Sequence, residues 1–254
     1  MLSLVLLTWS VETVAETSSP PRQADGADED AASTGDQALD AARQLAAHFA
    51  AVPNMRATAP MGTWTEDPAA VWSIRSEPVC LQALEDQGVG AVLLRHPLTK
   101  IPAPVVLITK VNGVTFRNAH GGGPLLYACE LAARLPVIAD VVRRHGVHTV
   151  DVLCAFRLEP DTSFHSVGLG IDIPSFQTDR GELSVLEHFV ETPDDETCSA
   201  PRPEDWRAQA LLDIACELAA THQFSTVITP NYRRGHRDHF HIDARPDDPR
   251  LYLR

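Results

Sequence analysis

Apolar positions along the chain follow two spacings, one helical and one alternating, and the switches between them mark out the elements. Leu39, Ala42, Leu45, Ala46 and Phe49 recur three and four apart, which predicts an amphipathic helix over Asp36 to Val52, ended by Pro53. Beyond it, runs rich in β-branched residues at Ala91 to Arg95, Val105 to Lys110 and Val114 to Arg117 predict strands. The Asn112-Gly113 pair predicts a tight hairpin joining the last two. After the break at Gly121 to Pro124 a helical pattern runs to His145, with Leu125, Leu126, Cys129, Leu131, Val137, Ile138, Val141 and Val142 largely on one side. Gly146 is its stop, and Pro136 is expected to kink or divide it. Val147 to Phe156 predicts a strand that delivers Arg157 to its end. Pro203 to His222 predicts the second long helix, with Pro203 in the first helical position and Glu204 and Asp205 at the positive end of the dipole. Trp206, Leu211, Ile214 and Leu218 supply its buried face. Ser225 to Thr229 follows as a strand, Pro230 to Gly235 as a turn and His239 to Ala244 as a last strand. No internal repeat interrupts this order, which predicts an α+β domain with a mostly antiparallel sheet and helices packed on one side.

Composition narrows the organisation. With 254 residues and 44% hydrophobic positions the chain can bury one core, so one domain is expected rather than two. The net charge of -13 is unevenly placed: Glu12, Glu16, Asp25, Asp28, Glu29, Asp30, Asp36 and Asp40 face Arg22 as the one Lys or Arg between positions 12 and 40. From Glu16 to Gly35 large apolar side chains are almost missing, so residues 1–35 are expected to be a disordered acidic tail. Residues 36–254 then form the domain, with a helix and strands over 36–120 and a core over 121–245. The first residues, Leu2 to Val11, make an apolar run that suits a signal-peptide core but is too short to span a bilayer, and no Lys or Arg precedes it. It reads either as a degraded or truncated export signal or as a frayed start. The acidic balance, with no basic stripe, argues against a nucleic-acid partner, and a monomer is expected. The five cysteines form no CxxC pair, which leaves two arrangements: buried thiols of a cytosolic protein, or two disulfides and one thiol of an exported one.

Candidate chemistry is concentrated in two stretches. Tyr232 to Arg245, reading YRRGHRDHFHIDAR, holds three histidines and two aspartates. On a strand His239, His241 and Asp243 would share one face while Phe240 and Ile242 anchor the other in the core. Upstream, Ser163 to Asp172 reads SFHSVGLGID, where glycines allow a sharp turn and a close approach of backbone to a bound ion. Together the stretches can supply two imidazoles and a carboxylate. That set suits a catalytic Zn²⁺ with a fourth position open to water. The same set forms the facial triad of non-haem iron enzymes, against which the glycine-rich links and the lack of many short barrel strands argue. His236 reads as a turn residue, and Asp243 as a group that orients His241 from behind.

The pattern SxHxxGxxxD followed by HxDHFHxD resembles the zinc peptidases grouped with lysostaphin, the D-Ala-D-Ala metallopeptidases and the hedgehog fold, and more closely the bacterial extensin-like C-terminal family. The likeness runs from about Cys129 to Ala244 and includes Cys129-Glu130-Leu131-Ala132, Phe156-Arg157, Phe224 to Val227 and Thr229 to Tyr232. It implies a hedgehog or D-Ala-D-Ala-peptidase-like fold, with His165, Asp172 and His241 as zinc ligands and His239 as a non-ligand histidine of the active site. It also implies Asp238 in the place of the catalytic base, Arg157 near the scissile carbonyl and Ser163 helping to hold the substrate carboxylate. In a regular strand Asp238 would face away from His241, so it can act only if the strand begins after it; His239 is the other candidate for proton transfer. Where many relatives have a small residue before the aspartate, this chain has Ile171. The activity so implied is cleavage of peptide bonds in bacterial peptidoglycan, as a carboxypeptidase on D-Ala-D-Ala or an endopeptidase of the stem peptide. The protein would then be secreted, periplasmic or attached to the cell wall. The alternative is a zinc-stabilised domain that binds a wall peptide or glycan without cutting it.

Overall fold

A computed structural model describes residues 77–94, 100–101, 103–121, 123–158, 160, 163–192, 197–232, 235–245 and 252–253. The expected acidic tail and the helix over Asp36 to Val52 lie outside the described residues. In chain order the helices are α1 (Glu77–Asp86), α2 (Cys129–Ala132), α3 (Leu135–Arg144), α4 (Val185–His188) and α5 (Trp206–Ala220). The strands are β1 (Ala91–Leu93), β2 (Pro104–Leu107), β3 (Thr115–Asn118), β4 (Leu126–Ala128), β5 (Val147–Val152), β6 (Gly170–Ile173), β7 (Ser175–Thr178), β8 (Gly181–Ser184), β9 (Thr226–Ile228), β10 (Phe240–Asp243) and β11 (Tyr252–Leu253). The α+β class holds. The strands, however, form three small sheets, ordered β1-β2-β4, β11-β9-β10-β6 and β3-β5-β7-β8, and two of the pairings, β3 with β5 and β9 with β11, are parallel.

Two expectations are corrected by this pairing. Asn112 and Gly113 do turn the chain, with φ of 47° and 81° and a bridge between Val111 and Val114. No extended hairpin follows, because β2 pairs with β1 and β4 whereas β3 leaves to join β5. The helical pattern after Pro124 likewise divides into β4, α2 and α3. Leu126, Tyr127 and Ala128 are all buried, so the alternation that would mark a one-sided strand is lost and the run cannot be told from a helix by its pattern. Pro136 starts α3 from its first turn, where a missing N–H costs nothing, and His145 and Gly146 (φ 76°) close it.

The core joins these pieces. α3 buries Leu135, Ile138, Ala139, Val141 and Val142 and packs on β5 and α5, and α5 in turn lies against β8 and β9. Asp205, not Pro203, sets the start of α5: its carboxylate accepts from the N–H groups of Arg207 and Ala208. Disulfides tie Cys80 of α1 to Cys129 of α2, and Cys198 to Cys216 of α5, leaving Cys154 as the free cysteine. Of the two arrangements open from sequence, two bridges and one thiol is therefore the one present. Among the described residues no helix is long and apolar enough to cross a membrane.

Candidate metal centre

β6 is the strand on which the site is built. It runs antiparallel to β10, with Asp172 directly opposite His241, and on its other side Asp172 is opposite Cys154, just past the end of β5. Main-chain bonds of 2.8 Å from Leu153 N to Asp172 O and from Asp172 N to Cys154 O hold that second side. Ile171 and Ile173, which alternate with Asp172, point into the core and are fully buried. Ile171 therefore packs the fold rather than lining the site.

His165 arrives from the short 3-10 segment Phe164–Val167. Ser163 caps this segment, its Oγ accepting from His165 N at 3.3 Å, and Gly168 ends it in the left-handed region at φ 68°. A Cβ on Gly168 would stand 2.6 Å from the backbone N of Ala128, and one on Gly170 would stand 3.3 Å from the His165 ring. The close approaches that these glycines permit are thus to the chain's own backbone and to a site histidine, not to an ion.

Three donor atoms converge. His165 Nε2 lies 3.1 Å from Asp172 Oδ1, His241 Nδ1 lies 2.8 Å from the same oxygen, and the two ring nitrogens are 3.2 Å apart. His165 and Asp172 are 0% and 3% exposed. Four-coordinate zinc with bonds of about 2.0 to 2.1 Å would place its nitrogen and oxygen donors about 3.3 Å from one another, so the spacing fits such an ion. Cys154 extends the cluster: its sulfur and donor atoms of His165 and Asp172 all lie within 4.8 Å of one another, so these three residues could hold a metal ion. Behind the cluster, Asp243 Oδ2 is 3.5 Å from His241 Nε2, and the Arg245 guanidinium sits against Asp243.

Charge is coupled across the cluster. Burial alone would raise the Asp172 carboxyl, but hydrogen bonds with His165 and His241 outweigh it and hold the group well below the usual carboxylate range. Burial would lower His241, yet the facing carboxylates of Asp172 and Asp243 push it up to about 9. Burial, then the charge of Asp172, pushes the Cys154 thiol up to about 11.

The remaining expected residues surround the donors unevenly. His239 precedes β10 instead of opening it, and its Nε2 is 3.5 Å from Asp172 Oδ1 while its Nδ1 is 2.8 Å from Asp238 Oδ1. Because the strand begins at Phe240, Asp238 falls in the preceding turn, as its candidacy requires, and it reaches the cluster through His239. Arg157 is exposed; its Nη2 is 3.4 Å from Ser163 Oγ and its N–H donates to His165 O. Two further residues stand near the donors. His236, in the turn before β10, has its ring 5.1 Å from that of His239 and 5.6 Å from that of His241. Cys154 lies outside both motifs, and only its place near the end of a predicted strand, three residues before Arg157, could have drawn notice.

No curated protein and no solved structure gives a significant match to the chain. Residues 154–251, which begin at Cys154 and contain every donor of the cluster, are similar to the extensin-like protein C-terminus, whose family model they match.

Proposed function

We propose that the chain is a zinc-dependent amidohydrolase that cleaves peptide bonds of bacterial peptidoglycan. The observation that carries this reading is the convergence of His165 Nε2, Asp172 Oδ1 and His241 Nδ1 at 2.8 to 3.2 Å. These three residues would hold the ion. When bound, Zn²⁺ supplies Lewis acidity toward a carbonyl and a water molecule. The protein's own groups do the rest. Asp238 accepts from His239 Nδ1, which fixes the imidazole so that Nε2 faces the cluster, and the pair can take a proton from water and return it to the leaving amine. Arg157, exposed beside Ser163, is placed to bind the carbonyl or the terminal carboxylate of the peptide. The two disulfides agree with an exported protein, where this substrate is found.

The test is digestion. Zinc-loaded protein incubated with purified peptidoglycan should release fragments whose masses identify a lost D-Ala or an opened stem peptide, and Asp172→Ala should release none. An unchanged digest from fully loaded protein would overturn the enzymatic reading. One observation favours the second reading, a zinc-stabilised domain that binds wall peptide without cutting it: Cys154 stands where it could fill the position that a hydrolytic ion leaves open.

A further inference from the structure

We propose that Cys154 is a fourth ligand of the metal held by His165, Asp172 and His241, and that its thiolate closes the site. This rests on the reading of the cluster as a metal centre. Register is the first support. Cys154, Asp172 and His241 are directly opposed across three neighbouring extended segments, and opposed residues in antiparallel pairs turn their side chains to the same face. Asp172 is thereby flanked by a sulfur donor on one side and a nitrogen donor on the other, with His165 closing from the 3-10 segment.

Distance is the second support. Tetrahedral zinc with a sulfur at about 2.3 Å and nitrogen or oxygen at about 2.0 to 2.1 Å sets sulfur about 3.6 Å from the other donors. The Cys154, His165 and Asp172 donors already lie within 4.8 Å of one another, and His241 Nδ1 is 2.8 Å from Asp172 Oδ1. Charge is the third. One carboxylate and one thiolate cancel a divalent ion, and a neutral cluster is far less costly to bury than a cationic one. As the sulfur–metal bond forms, the thiol proton leaves to solvent. A sulfur donor also selects zinc or another thiophilic ion over magnesium, calcium or manganese. Water takes the fourth position each time the thiolate departs, so Cys154 sets what share of the zinc-loaded protein is open to hydrolysis during turnover.

Cobalt(II) reports directly on such a ligand. The full chain, purified without reductant so that both disulfides persist, is loaded with cobalt(II) and its absorption recorded. A near-ultraviolet thiolate-to-cobalt charge-transfer band is expected beside the visible bands of the ion. In Cys154→Ser that band should vanish while cobalt stays bound, and zinc affinity should fall by about tenfold or more. Visible cobalt bands without the charge-transfer band, or a band that persists in Cys154→Ser, would refute the thiolate ligand while leaving the three-residue site standing. Failure of the wild type to bind cobalt or zinc at all would overturn the metal centre itself. Should Cys154→Ser not fold, the wild-type spectrum still decides, because Cys154 is the free thiol beside two disulfides.

Discussion

At the scale of single residues, the pairing of Asp238 with His239 changes what mutation should do. Joined at 2.8 Å, the two would act in the proposed reaction as one proton-transfer unit rather than as competitors. Asp238→Asn and His239→Ala are each expected to lower turnover of peptidoglycan fragments by about 10²-fold with zinc retained. The double variant should be little worse than either, since groups acting as a unit are not additive. Multiplying losses in that cycle would show that they work separately. His241 and Asp172 set a second expectation, for the metal-free protein. His241 is raised in the folded state to about 9, so its contribution to stability is full below its unfolded value and is lost as pH rises through about 9. Asp172 is depressed, so its contribution is present above its unfolded value and is lost as pH falls toward its folded one. Urea denaturation of metal-free protein across pH should therefore show a maximum between the unfolded values, about 3.9 to 6.5. His241→Gln should flatten the alkaline limb. An alkaline limb unchanged by that substitution would place the effect elsewhere.

At the scale of elements, the site depends on how the 3-10 segment Phe164–Val167 meets β4 and β6. Gly168 bonds through its carbonyl to Ala128 N at 2.9 Å and takes a left-handed φ of 68° with no room for a Cβ. Gly168→Ala should thus destabilise the fold by roughly 1 to 3 kcal/mol in urea denaturation, from backbone strain and the collision with β4. It should also weaken zinc binding, because His165 is held by the same segment. Stability equal to wild type would mean that this turn can shift without cost. The segment illustrates a limit of local reasoning. The glycines of Ser163 to Asp172 are legible in the sequence as a turn, but what crowds Gly168 is β4, which lies far away along the chain.

At the scale of the molecule, the Cys80–Cys129 disulfide spans 49 residues and joins α1 to the part of the chain that carries the site. Replacing both cysteines with serine should cost about 2 to 4 kcal/mol, mainly by freeing the unfolded chain. Zinc affinity should hardly change, because the donors sit on β6, β10 and the 3-10 segment rather than on α1. A large loss of metal binding in that variant would mean that α1 supports the cluster.

Features governed by neighbours along the chain could be read directly from the amino acids. The apolar faces of α3 and α5, the stop at Gly146, the break at Pro136 and the alternation of Ile171, Asp172 and Ile173 all belong here, since each follows from the period of one element. The HxDHFHxD and SxHxxGxxxD stretches are also legible as a source of two imidazoles and a carboxylate, because donors within one turn or strand keep their order whatever the fold, and the family resemblance they carry implies His165, Asp172 and His241 as the set. Pairing between distant segments could not be read in this way. Three sheets rather than one, the parallel partners of β3 and β9, the departure of β3 from the Asn112-Gly113 turn and the choice of cysteine partners follow from packing across the whole core. Cys154 belongs to this second group. Its place opposite Asp172 arises because the chain past β5 pairs with β6, a contact between residues eighteen apart whose register is set by the sheets on either side.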